Sequence, residues 1–170
     1  GNEKGTFWFF YSILEKSQQE IPFDGLSGFF ETEFPLLMQY LAVFKELFEE
    51  FINDLYIHFQ QEMVPDQMWI HKWFMTCFLY SFPMGLCLRI WDNLLAFGTR
   101  FMFNICLAIL KLLKDQLIEL EFSDINEFLK CLKDDGHLEQ KLLPPVEQII
   151  EEAQKIYIPD EKLSYLFKKY

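Results

Sequence analysis

Basic residues are scarce in this chain: of 170 residues only 15 are Lys or Arg, against 26 Asp or Glu, and the only arginines are Arg89 and Arg100. A formal charge of −11 repels phosphate backbones, which argues against a general nucleic-acid binder. Cysteine is sparse as well. Cys77, Cys87, Cys106 and Cys131 each lie in an apolar segment, 10 to 25 residues apart, and no pair has metal-ligand spacing. They read as buried free thiols suited to a reducing compartment, so a cytoplasmic protein without metal or other cofactor is expected. At this length a globular chain buries about 70% of the surface it exposes when unfolded and needs no such staple. Long apolar runs are missing too. The charge-free stretch from Trp73 to Leu88 has 16 residues, is interrupted by Pro83 and Gly85, and is closed by Lys72 and Arg89. A span needs about 20 residues, so direct membrane insertion is not expected. No segment alternates cleanly enough for a strand, and neither internal repeats nor low-complexity tracts occur.

What the chain has is apolar surface: 51% of it is hydrophobic and 20 residues are Phe. That is enough to offset the entropy of ordering, which excludes disorder and predicts one compact all-α domain, an orthogonal multi-helix bundle. Phe7, Trp8, Phe10, Tyr11 and Leu14 predict a first helix running to about Lys16 and buried on most of its circumference. Pro22, Gly25 and Gly28 then mark a loop that has to bury Phe23, Phe29 and Phe30. From Pro35, the series Leu37, Leu41, Phe44, Phe48 predicts an amphipathic helix, and Asn53 or Asp54 is placed to cap a short one reaching Gln61. Val64-Pro65-Asp66 restarts a helix expected to run through Ser81, and another from Pro83 ends at Gly98. The helix from about Thr99 to Leu120 is the most apolar. Its narrow wet stripe of Asn104, Lys111, Asp115 and Glu119 predicts a place at the centre of the domain. Ser123 is expected to cap a helix ending near Gly136, Pro144 or Pro145 to open one that stops before Pro159, and Asp160 to cap the last.

Met63-Val64-Pro65, Trp73-Phe74 within a helix, Phe82-Pro83, Leu88-Arg89-Ile90-Trp91-Asp92, Gly98 and an apolar helix bearing Ala108 follow one another in a specific order. In that order and separation they resemble the C-terminal half of a TBC domain, the module that activates Rab GTPases. Phe7-Trp8 and the run from Asp54 to Phe59 also resemble that family. The likeness covers roughly residues 1–132 and implies a C-terminal subdomain there, with 133–170 as a helical extension packed on it. The residues that carry it, Trp73, Phe74, Arg89, Trp91 and Asp92, read as structural. Arg89 and Asp92 lie three apart on one helix face, where they satisfy each other or cap neighbouring helix ends, while Trp91 is expected to fill core.

The resemblance also implies a mechanism. GTP hydrolysis spreads charge over the γ-phosphoryl oxygens, and a guanidinium supplied from outside accelerates it by about 10³ to 10⁵. TBC domains are understood to supply that arginine from an Ile-x-x-Asp-x-x-Arg motif and a water-orienting glutamine from Tyr-x-Gln. Neither pattern occurs in these residues. The segment Ile21-Pro22-Phe23-Asp24-Gly25-Leu26-Ser27 mimics the first but ends in a hydroxyl, which carries no fixed charge. The chain also opens at Gly1 without an initiator Met, so further sequence upstream is expected to hold both groups.

Three features outside the resemblance carry little chemistry. His58 and Glu62, four apart, are too few to hold a metal, and His71 and His137 have no partners in sequence. Ten acidic residues between Glu15 and Glu62 face only Lys16 and Lys45, which makes either a solvated face or a surface that steers a basic partner. Aromatic density of 18% is explained by a thick core, or in part by a surface meant for the missing N-terminal half, which would be exposed or hidden in a homodimer. The reading is therefore a supporting subdomain of a Rab GTPase-activating protein, inactive alone, with a Rab-type small GTPase and the rest of its own domain as partners. It would reach membranes only through the lipid-anchored GTPase. The alternative is a non-catalytic helical scaffold of TBC architecture.

Overall fold

A computed structural model describes residues 2–14, 25–130, 132–133 and 143–170, and among these every regular element is helical. The α-helices are α1 (Glu3–Leu14), α2 (Pro35–Phe51), α3 (Asn53–Gln61), α4 (Ile70–Met75), α5 (Met84–Phe97), α6 (Phe101–Leu117), α7 (Phe122–Lys130), α8 (Val146–Lys155) and α9 (Asp160–Lys169). Short 3₁₀ turns at Ser27–Phe29 and Asp66–Met68 precede α2 and α4. The expected helix end near Gly136, the loop residues Pro22 and Phe23, and the side chain of Phe10 lie outside the described residues.

α6 is the axis of the domain, and every residue from Phe101 to Leu110 is buried. α2 packs against it, and the predicted series Leu37, Leu41, Phe44 and Phe48 is buried, together with Tyr40, Val43 and Leu47. Tyr40 is the hub. Its ring stacks on Phe103 at 4.9 Å and meets Phe29, Phe74 and Phe167 edge-on at 5.0, 5.8 and 5.2 Å, while its hydroxyl donates to Thr99 Oγ1 at 2.8 Å. One side chain thus joins the 27–29 turn, α4, the start of α6 and α9. Gly28 lets this happen, because a Cβ there would come within 2.7 Å of Leu36 Cβ. Gly98 turns the chain from α5 into α6 at φ +79°, as expected of the glycine that follows a helix.

Several expectations are corrected. α1 is not enclosed: Phe7 and Trp8 are 62% and 56% exposed, and Tyr11 is exposed beside them. Phe29 is buried but Phe30 points outward. Asn104 is not on a wet stripe. Its Nδ2 donates to the carbonyls of Ala153 and Ile156 at 3.0 and 2.8 Å, closing the end of α8 from the flank of α6. Asp160 does not cap α9; its carboxylate takes the Arg100 guanidinium instead. Ser123 lies inside α7, whose first amide, from Phe122, donates to Glu62 Oε2 at 3.1 Å. At α3, Ile52 stands at the cap position, and Asp54 Oδ1 meets the Leu55 amide at 3.0 Å.

α8 and α9 close the open side of α2, α5 and α6. Leu163, Leu166 and Phe167 bury their side chains, and Gln39 donates to the Phe167 carbonyl at 2.8 Å. Glu46 receives Lys169 at 2.8 Å and the Tyr170 hydroxyl at 2.5 Å, and Lys162 reaches Glu50. Hydrogen bonds from Lys169 and then Tyr170 hold the Glu46 carboxyl below its ordinary range, and Lys111 does the same for Glu152.

Two outcomes follow. Asn104→Ala leaves two carbonyls at the end of α8 without their donor and is expected to cost about 1–3 kcal/mol in urea unfolding. Because Glu46 and Glu152 titrate lower when folded, their contribution is present above the unfolded value near 4.5 and is lost as pH falls through the folded values. Thermal melting is expected to weaken below about pH 4.5, and Glu46→Gln to flatten that decline.

Candidate protein-interaction site

Trp73 and Phe74 are wholly buried in α4. Trp73 lies edge-on to Trp69 at 5.0 Å and Phe82 at 4.8 Å, while Phe74 meets Tyr40, Phe44 and Phe103 at 5.8 to 6.0 Å. The pair is therefore tied into one continuous ring cluster, closed by Phe44 and Trp69, which meet edge-on at 5.9 Å. To bring both Phe78 and Phe82 onto Trp73, the chain must reverse soon after α4, and the helix expected to reach Ser81 stops at Met75. Phe78 N–H bonds to Trp73 O at 2.8 Å and Cys77 N–H to Phe74 O at 3.1 Å, the paired closure of a left-handed helix end. Cys77 and Phe78 accordingly sit at φ +45° and +71°, where glycine would be the ordinary choice. Thr76 helps end the helix, its hydroxyl donating to Lys72 O at 2.7 Å.

This turn gives Trp91 its role. Trp91 does not sit deep in the core: it is half-buried on α5, and its Nε1 donates to Cys77 O at 3.0 Å. The indole thus pins the left-handed turn to the next helix. Arg89 and Asp92 flank it on the outside, 3.8 Å apart with side chains 50% and 67% exposed. A pair so exposed contributes about 0–1 kcal/mol, so it leaves both charges available at the surface. On the same helix, Met84, Leu88 and Leu95 are exposed at spacings of four and seven, with Tyr80 just before them. These residues on α5, and separately Phe7, Trp8 and Tyr11 on α1, are exposed apolar side chains that a partner could use.

The other sequence candidates have structural positions. His58 Nε2 lies 2.9 Å from Leu120 O and Glu62 accepts from Phe122, so both hold the turn between α6 and α7. His71 contacts the Gln67 carbonyl. Among the described residues no group of three or more His, Cys, Asp or Glu is placed to hold a metal ion. Burial raises the Cys77 thiol to about 11 and Cys106 well above its usual value, which keeps both thiols protonated at neutral pH. Arg100 is engaged by the Asp160 carboxylate and the Ile158 carbonyl. Cys131, His137 and most of the Ile21–Ser27 near-match lie outside the described residues. Sequence reasoning missed the Cys77–Phe78 turn, which carries no Gly or Pro, and the long-range partners of Asn104 and Arg100. None of the described helices is long and apolar enough to cross a membrane.

The two roles separate by mutation. Trp91→Phe keeps an aromatic ring in place but removes the indole N–H bond to the Cys77 carbonyl, and is expected to cost about 0.5–1.5 kcal/mol in unfolding. Arg89→Ala is expected to change stability by less than about 0.5 kcal/mol. Equal losses in the two variants would contradict this division.

Comparison with known proteins agrees with this arrangement. The Rab-GTPase-TBC domain family matches residues 1–118. Mouse TBC1 domain family member 12 is 30% identical over 133 residues, covering 78% of this chain and 18% of that protein. Human TBC1 domain family member 14 is 34% identical over 108 residues, covering 64% and 16%. The chain thus spans less than a fifth of the length of these relatives. Among solved structures, the Ypt/Rab-GAP domain of Gyp1p superposes with a TM-score of 0.64 at 26% identity, over 76% of this chain and 40% of that one. This all-α chain belongs to the Rab-GTPase-TBC domain family.

Proposed function

We propose that this chain is a supporting lobe of a Rab GTPase-activating domain, corresponding to its C-terminal part, and that it contributes some of the surface on which a Rab-type small GTPase binds. Residues 1–132 are the lobe and 133–170 a helical extension that braces it. The arginine and the amide that complete the nucleotide site come from residues outside this sequence. In this reading the lobe works in the cytoplasm and reaches membranes only through its GTPase.

The observation that carries the proposal is the state of the two arginines within a chain that matches the family over residues 1–118. Activation needs a guanidinium free to enter the nucleotide pocket and offset charge as it develops. Arg100 is already committed to a carboxylate and a carbonyl within its own fold, and Arg89 sits on the outer face of α5 beside Asp92. Neither stands in an Ile-x-x-Asp-x-x-Arg pattern, and no Tyr-x-Gln occurs. The exposed aromatic face of α1 supports a neighbouring part of the same domain as its cover. A non-catalytic scaffold would share these features and differ only in what the rest of its domain holds.

Multiple-turnover GTP hydrolysis with a panel of Rab proteins tests the reading. This chain alone is expected to leave the intrinsic rates unchanged. Stimulation that survives both Arg89→Ala and Arg100→Ala would contradict the assignment of the catalytic groups to another part of the protein.

A further inference from the structure

A cavity of about 540 Å³ opens between α2 and the turn that leaves α3. That volume is within the range of about 300–1,000 Å³ usual for ligand sites. Leu41, Ala42 and Val64 form its apolar wall, and Met38 and Met63 stand at its mouth, 53% and 80% exposed. Methionine is unbranched and polarizable, so two of them can adapt to an inserted side chain. Met63 is held there at some cost. Val64 N–H bonds to Phe59 O at 2.8 Å and Met63 N–H to Gln60 O at 3.1 Å, which places Met63 at φ +54°. The backbone adopts a conformation that favours glycine, yet presents a large apolar side chain to the cavity mouth.

Asp66 lines the same cavity, and its Oδ1 is buried without a hydrogen-bond donor. Lys45, also at the lining, acts on it only through space and makes no ion pair with it among the described residues. Burial pushes the Asp66 carboxyl above its usual range. Burial disfavours the charged form of this acid, a cost that a bound cation would offset.

We infer that this cavity is a docking site for a segment of a partner protein that inserts a lysine or arginine side chain between apolar neighbours, with Asp66 as its counter-ion. Charge complementarity selects this occupant. The chain carries −11 overall, which steers a basic partner toward it, and the Asp66 carboxylate at the cavity has one oxygen, Oδ1, with no donor of its own. Leu41, Ala42 and Val64 give one side of the cavity a hydrocarbon wall, and Gln60 and Gln67 edge it with amides, so the occupant needs an aliphatic stem beside its charge; a bare metal ion or an acidic peptide does not match both features. The inference is independent of the role proposed in GTP hydrolysis.

The whole chain, labelled at its methionine methyls, is titrated with the peptide Gly-Ser-Leu-Leu-Arg-Leu-Leu-Ser-Gly and with versions carrying Gln or Glu in place of Arg. Affinities are read by fluorescence anisotropy. The arginine peptide is expected to shift the Met38 and Met63 methyls and to bind at least about tenfold more tightly than the glutamine peptide. Asp66→Asn is expected to erase that preference while leaving the melting temperature unchanged or higher. Met63→Gly, which suits the left-handed backbone and so preserves folding, is expected to weaken the arginine peptide by about tenfold. Equal affinity for the three peptides, a preference that persists in Asp66→Asn, or methyls unmoved at millimolar peptide would overturn the inference.

Discussion

Tyr40 faces Phe29, Phe74, Phe103 and Phe167, so four segments that are distant in sequence must dry the same ring before any of them is fully buried. Its hydroxyl cannot be left behind unpaired in that interior, and Thr99 receives it at the entry to α6. The position of α6 relative to α2 is therefore set by a polar contact inside an aromatic cluster. Through Phe74 the same constraint reaches α4, and from there the turn at Cys77, Trp91 and the outer face of α5. The surface residues of α5 are held by a chain of contacts that begins at the core.

That dependence explains what could be read from the sequence and what could not. The spacing of Leu37, Leu41, Phe44 and Phe48 made α2 legible because one face of one helix decides it. The centrality of α6 was legible for a similar reason, since an almost wholly apolar helix has nowhere else to go. The break after Met75 was not. It depends on Phe78 and Phe82 sharing Trp73 and on Trp91 holding the Cys77 carbonyl, and neither a glycine nor a proline marks it. Asn104 looked like a solvent-facing residue by its place on the helix, because its two acceptors, Ala153 and Ile156, lie far along the chain.

α1 illustrates a different limit. Its aromatic content predicted burial, yet Phe7 and Trp8 stand exposed. Apolar density reports that a side chain favours leaving water and does not say which surface receives it. The charged members of the Leu88–Asp92 run behave in a related way. Trp91 has a structural task, whereas Arg89 and Asp92 point outward and bind each other only weakly, so one short motif serves both the fold and its surface. Arg100, the other guanidinium, works as a clasp for the segment that leads into α9.

The core around Tyr40 is packed within the described residues, and we propose that the exposed aromatic face of α1 is a surface for another part of its domain. Native-state hydrogen exchange on the isolated monomer tests it most directly. Amides of α2 and α6 are expected to exchange only with global unfolding, and those of α1 orders of magnitude faster. Protection of α1 equal to that of α6 would contradict the claim.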